Sequence, residues 1–148
     1  MSTYSQILYH FVYSTLNRKK TLDISHRTEL YKYIWGIFNN KKCHLYRIGG
    51  MSDHIHIITH IHPTIAPAFI IKDIKLACSE LIKTKNLFPD FEGWQSGYGA
   101  FTHSFKDKDR LIEYVKNQEK HHLKKSSREE LIDLLHEHGA EYDEKYLL

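Results

Sequence analysis

The sequence predicts an α+β fold, a ferredoxin-like β-α-β-β-α-β sheet with additional C-terminal helices. Three observations carry that expectation. Short runs are rich in Ile, Val, Tyr and Phe; longer segments between them repeat apolar residues at helical spacing; and a Gly-Gly pair stands where two of the short runs follow each other directly. With 148 residues the chain is long enough for one core and too short for two independent ones.

Each element follows from local chemistry. SQILYHFVYST reads as the first strand, with no breaker until Asn17, where the basic turn Asn17-Arg18-Lys19-Lys20 begins. Leu30, Tyr33, Ile34, Ile37 and Phe38 then define an amphipathic helix, with Ser25 as its N-cap. CHLYRIG and HIHIITHI form a hairpin around Gly49-Gly50-Met51-Ser52-Asp53. Thr64 and Pro67 open a second helix with a buried stripe of Ile70, Ile74, Ala77, Cys78 and Leu81, and with Lys72, Lys75 and Lys83 on its other face. The stretch PDFEGWQSGYGAFTHSF holds a loop and a fourth strand near Ala100–Ser104. From about Asp107, capped by Ser104 or Asp107, a helix lines up Leu111, Tyr114, Val115, Gln118 and His122. A last helix from about Ser127, with Leu131, Leu134 and Leu135, leads to the acidic end.

Composition narrows the class of function. A hydrophobic fraction of 41% and a charged fraction of 26% are those of a soluble globular protein. No apolar run approaches the ~20 residues a membrane helix needs, and the N-terminus lacks the basic start and cleavage site of a signal peptide, so a cytoplasmic location is expected. Cys43 and Cys78 stand outside any Cys-x-x-Cys pair, which argues against a disulfide framework and a zinc ribbon. Residues 1–125 hold 19 Lys and Arg against 11 Asp and Glu, whereas 126–148 hold 2 against 7. A basic body suits a polyanionic partner, though proteins that never touch nucleic acid also carry such an excess.

The residues with chemical potential form two pairs. His54 and His56, two apart on a strand, project from one face and offer part of an open metal shell, or else hydrogen-bond within a half-buried sheet. Tyr114 and Gln118, four apart on a helix, share a face with roughly 5–6 Å between their Cβ atoms. A tyrosine there is by default a core aromatic with its hydroxyl satisfied. The amide of Gln118 on an otherwise apolar face requires partners, and its carbonyl oxygen could serve as a third metal ligand.

His54-Ile55-His56 followed by Tyr114-x-x-x-Gln118 resembles the HUH single-tyrosine transposases of small insertion sequences, including REP-associated tyrosine transposases. Supporting similarity runs from His10 in LYHFVYST through GGMSDHIHI to GYGAFTHS and YVKNQEKHH. The resemblance implies a catalytic domain over 1–125, followed by an acidic C-terminal helix and tail over 126–148. It implies that His54, His56 and Gln118 bind a divalent ion, magnesium or manganese, and that Tyr114 attacks the scissile phosphate to leave a 5′-phosphotyrosine link and a free 3′-hydroxyl. Two imidazoles are softer ligands than magnesium prefers, so the residues themselves favour manganese or a later metal. A phenol also needs a proton acceptor, for which His121 and His122 are the candidates in the sequence. The implied partners are single-stranded DNA with hairpin ends and a second copy of the chain, with the tyrosine helix acting in trans. Arg18, Lys19, Lys20, Lys72, Lys75 and Lys83 are plausible phosphate contacts, and Trp94 and Tyr98 could stack on unpaired bases.

Two other readings compete. A non-catalytic ferredoxin-like module binding hairpin DNA or RNA would use the same basic body, although HFVYS and HIHIITH lack the strand motifs of RNP-type modules. A zinc site on His54, His56, His60 and His62 would have to span ~20 Å of extended strand, too far for one ion.

Overall fold

A computed structural model describes residues 2–121 and 124–147. The elements follow in the expected order: β1 (Leu8–Ser14), α1 (Ile24–Asn40), β2 (His44–Gly50), β3 (His54–His60), α2 (Pro67–Lys85), β4 (Gly99–His103), α3 (Lys108–Lys116), α4 (Gln118–His121) and α5 (Ser127–Glu137). The four strands form one antiparallel sheet in the order β2-β3-β1-β4, the arrangement a ferredoxin-like connectivity produces. Among the described residues no helix is long and apolar enough to cross a membrane.

Strand alternation divides the side chains between two helical layers. Phe11 and Tyr13 on β1, paired with Ile57 and Ile55 on β3, face the main core, which takes Leu30, Ile34 and Phe38 from α1 and Ile70, Ile74 and Cys78 from α2. The intervening residues point the other way. Leu8 and Ile58 pack with Leu111 and Val115 of α3, and Val12 and Phe101 pack with Leu134 of α5. His54 and His56 lie opposite Ser14 and Val12 in the register, so they share this second face, under α3 and α5.

Several local expectations shift. Asp23, not Ser25, is the N-cap of α1; Ser25 lies inside the first turn and its hydroxyl donates to Asp23 Oδ2 at 3.0 Å. In α2 Pro67 occupies the first turn as expected, but Ala66 is the cap and Thr64 lies outside the helix. Ile71 and Ile82 join its buried stripe while Ala77 and Leu81 are only partly buried, because the helix presents a wider face to the sheet than a single i, i+4 row. The helix that carries Tyr114 stops at Lys116, and Gln118 opens the separate turn α4. His122 falls outside the described residues.

Glycines set two close approaches at the hairpin. A Cβ on Gly50 would lie 2.2 Å from the His54 carbonyl oxygen, and one on Gly49 would lie 2.9 Å from the carbonyl oxygen of Val115. The second contact lets α3 settle directly on β2 and brings the residue next to Val115, Tyr114, over the sheet.

Candidate active site

Residues of β1, the hairpin turn, β3, α3, α4 and α5 converge where β3 leaves the hairpin. His54 and His56 are 1% and 0% exposed, and each uses one ring nitrogen for support and the other to face the centre. Nδ1 of His54 lies 2.7 Å from Asp53 Oδ1, and Nδ1 of His56 lies 2.7 Å from Nε2 of the buried His10 on β1. On the inner side His54 Nε2 is 3.0 Å from Gln118 Oε1, and His56 Nε2 is 2.8 Å from Glu130 Oε1. The same Glu130 oxygen is 3.4 Å from His54 Nε2. Its other oxygen accepts from the Tyr114 hydroxyl and from Gln118 Nε2, the latter at 3.1 Å. The Tyr114 ring stands perpendicular to that of His56, with centroids 5.7 Å apart.

Charge explains the protonation of this cluster. Burial alone would lower the pKa of His54, but the hydrogen bonds and negative charges of Asp53 and Glu130 outweigh it and hold the imidazole at about 9. Both of its nitrogens face oxygen acceptors, which suits the doubly protonated ring. His10 moves the other way: burial, then the neighbouring His56 and His103, hold it neutral. Burial and the adjacent Glu130 carboxylate raise the pKa of Tyr114, so in this arrangement the phenol keeps its proton.

The donor set fits a divalent ion. Ligand atoms of His54, His56 and Glu130 all lie within 4.8 Å of one another, and the carbonyl oxygen of Gln118 joins them on the His54 side. Two imidazoles, a carboxamide oxygen and a carboxylate, all buried, make a mixed nitrogen and oxygen shell. The proton that now brings His54 to its charged form occupies the lone pair an ion would take.

The other residues singled out in the sequence fall into distinct places. Arg18 adopts a left-handed backbone with φ 54°, directly after Asn17 with φ 55°, and its guanidinium reaches inward. Its Nη1 donates to Ser127 Oγ at 2.9 Å and to Ser14 Oγ at 3.2 Å, while Ser127 Oγ donates to Asp53 Oδ2 at 3.0 Å. A cavity of about 230 Å³ opens beside it, lined by Arg18, His54, Gln95, Tyr98, Ser127 and Tyr142. Lys19 pairs with Glu92 at 2.7 Å on the surface, and Lys20, Lys72 and Lys83 are exposed. Lys75 instead donates to the carbonyls of Gln95 and Gly97 at 2.9 and 2.6 Å, holding the loop before β4. Trp94 is packed edge-on against Tyr13 and Phe91, and its indole nitrogen donates to the Lys75 carbonyl, whereas Tyr98 stays 41% exposed. His60 and His62 are engaged with Ile7 and Thr64 at the far end of β3, so the four-histidine zinc cluster does not form.

Sequence reasoning missed Glu130, Asp53 and the contact of His10. Glu130 had a signal: it precedes Leu134 by four residues, an acid on the apolar stripe of α5. Asp53 and His10 had weaker ones, since an acid in a hairpin turn and a histidine in a strand are ordinary.

Among curated proteins none matches the chain. Two of the solved structures that share its fold illustrate the match. One is a candidate transposase from Deinococcus radiodurans R1, with 20% identity, a TM-score of 0.61, and 80% of this chain and 95% of that one covered. The other is a REP-associated tyrosine transposase bound to a REP hairpin, with 17% identity, a TM-score of 0.61, and 82% and 74% covered. Residues 3–118, which span the whole sheet and reach Gln118, match the sequence model of the family described as "Transposase IS200 like", and the chain accordingly belongs to the IS200-like transposases.

Proposed function

We propose that this transposase cleaves and rejoins single-stranded DNA at insertion-sequence ends, with Tyr114 as nucleophile and His54, His56 and Gln118 as ligands of a divalent ion. One observation carries the reading: the Tyr114 hydroxyl and the inner nitrogens of both histidines converge on the two oxygens of a single buried carboxylate. A magnesium or manganese ion bound there would neutralise charge on a phosphate and orient it. The rest is the work of side chains. The Tyr114 oxygen bonds to phosphorus as the bond to the 3′ oxygen breaks, which leaves a 5′-phosphotyrosine and a free 3′-hydroxyl. Because the ester is conserved in the link, a second 3′-hydroxyl can reverse the step and join strands without ATP. Glu130 Oε2 already accepts the phenolic hydrogen bond, a role the sequence had left to His121 or His122.

DNA contacts are assigned to basic residues of the turn after β1 and of α2. Arg18 lies nearest the histidines, and Lys19, Lys20, Lys72 and Lys83 are exposed for backbone phosphates. Lys75 is read as a support of the 95–97 loop. The partner is single-stranded DNA with hairpin ends, and the enzyme works in the cytoplasm as a homodimer. Tyr114 lies against the histidines of its own chain, and the trans arrangement the resemblance implied would set the same residues against those of a second copy. Residues 1–125 form the catalytic unit, and 126–148 an acidic extension that returns Glu130 to it.

The test is a denaturing gel of the protein incubated with Mn²⁺ and single-stranded element ends. A covalent adduct is expected with the wild type and none with Tyr114→Phe. Retention of the adduct in Tyr114→Phe would falsify the nucleophile, and hairpin binding with no adduct under any ion would favour the non-catalytic module.

A further inference from the structure

We infer that Glu130 is the anionic ligand that completes the divalent-ion site, so that α5 supplies a fourth protein ligand alongside His54, His56 and Gln118. The inference rests on the metal site proposed above and extends it to the C-terminal helix. Burying a carboxylate is costly unless charge and hydrogen bonds compensate. Glu130, at 2% exposure, divides that compensation between its oxygens: Oε1 faces both histidines, and Oε2 faces Tyr114 and Gln118.

The spacing of the donor atoms admits an ion. With metal–ligand bonds of about 2.0–2.2 Å, donor atoms at adjacent corners of a tetrahedron or octahedron lie about 2.8–3.6 Å apart. Glu130 Oε1 lies 2.8 Å from His56 Nε2 and 3.4 Å from His54 Nε2, and Gln118 Oε1 lies 3.0 Å from His54 Nε2. The 2.8 and 3.0 Å separations match octahedral corners and the 3.4 Å separation a tetrahedral one, so shifts of a few tenths of an ångström would seat one ion among these atoms. Charge points the same way, because three neutral donors would leave a dication uncompensated in a buried site, and a carboxylate both offsets it and hardens the shell toward manganese or magnesium.

The helix is built to deliver this residue. The Ser126 hydroxyl accepts from the Glu129 amide at 3.1 Å, which caps α5 and sets its rotation. Ser127 ties the first turn to Asp53 and Arg18, and Leu134, one turn beyond Glu130, packs on Val12 and Phe101. Glu130 is thus pinned from both sides. Its second oxygen, on Tyr114, gives the ion site and the nucleophile one shared anchor.

The experiment titrates the full chain with Mn²⁺ by calorimetry and by the Mn²⁺-induced rise in Tm, for wild type, Glu130→Gln, Glu130→Ala and the surface control Asp133→Asn. Glu130→Gln keeps the volume and retains hydrogen-bonding capacity where Glu130→Ala risks misfolding. Loss of affinity by tenfold or more is expected for both Glu130 variants, with Asp133→Asn equal to wild type. Undiminished or tighter Mn²⁺ binding by Glu130→Gln or Glu130→Ala would overturn the inference and make Glu130 an occluding group. A variant-independent check is the anomalous signal of Mn²⁺ in crystals of the wild type: an ion within about 2.2 Å of Glu130 Oε1 is expected, and an ion on the histidines with Glu130 withdrawn overturns the assignment. Absence of any Mn²⁺ binding by the wild type would instead refute the metal site itself.

Discussion

His10 shows how much of this site depends on single atoms. For His56 to offer the Nε2 lone pair to an ion, its proton must sit on Nδ1 and be donated to Nε2 of His10, 2.7 Å away. His10 can accept because burial holds it neutral. Its own proton then sits on Nδ1, a buried atom with no hydrogen-bond partner among the described residues, and the ring borders a small cavity lined by His103, Tyr114 and Glu137. Removing the acceptor frees the His56 ring to turn and lowers its basicity. His10→Ala is expected to weaken Mn²⁺ binding roughly 10–100-fold by calorimetry, the usual range for a lost outer hydrogen bond. Unchanged affinity would reduce His10 to packing. In the sequence, the two-residue spacing of His54 and His56 and the four-residue spacing of Tyr114 and Gln118 were legible because each lies within one element. Hydrogen bonds across elements, His10 to His56 and Glu130 to both histidines, leave no spacing to read.

Secondary structure was legible where a period persisted and obscure where a helix broke. The stripes of α1 and α2 and the alternation of β1 and β3 were sustained by apolar burial, whereas the interruption at Asn117 is a local event that periodicity cannot register. The Tyr114 helix settles closely on β2 because position 49 carries no side chain. A methyl group at position 49 would meet both the Cγ1 atom and the carbonyl oxygen of Val115 at 2.9 Å, and backbone cannot rotate away as a side chain can. Gly49→Ala should therefore lift α3, destabilise the fold by about 1–3 kcal/mol in urea unfolding, and reduce adduct formation. Gly36→Ala is the contrast, since nothing lies within 4 Å of its Cβ and α1 gains helix propensity of up to about 1 kcal/mol. Equal behaviour of the two variants would show that the α3–β2 approach is not limiting.

The whole molecule is a sheet between two helical layers that do different work. Its α1 and α2 side holds the largest core, and its α3 and α5 side holds two smaller apolar clusters with the polar site among them. That division lets a single chain close the site, and it gives a prediction about assembly. Mixing Tyr114→Phe with His56→Ala subunits should yield no more adduct than either alone if tyrosine and histidines of one chain cooperate. Recovery of activity in the mixture would establish exchange of α3 between copies. The basic body and acidic end seen in composition acquire a spatial meaning here: one acid from the end segment, Glu130, is buried among the histidines of the body.

The sequence by itself determined the order of strands and helices, the two-sided alternation of the sheet, and the pairs His54 with His56 and Tyr114 with Gln118. Those follow from periodicity and local stereochemistry, which act over a few residues. Only the tertiary structure decided that Glu130 joins both pairs, that His10 and Asp53 orient the histidines, that Arg18 turns inward, and that Lys75 serves a loop. Such contacts link residues tens of positions apart, and they arise from burial, which forces every polar atom carried into the second layer to find a partner there.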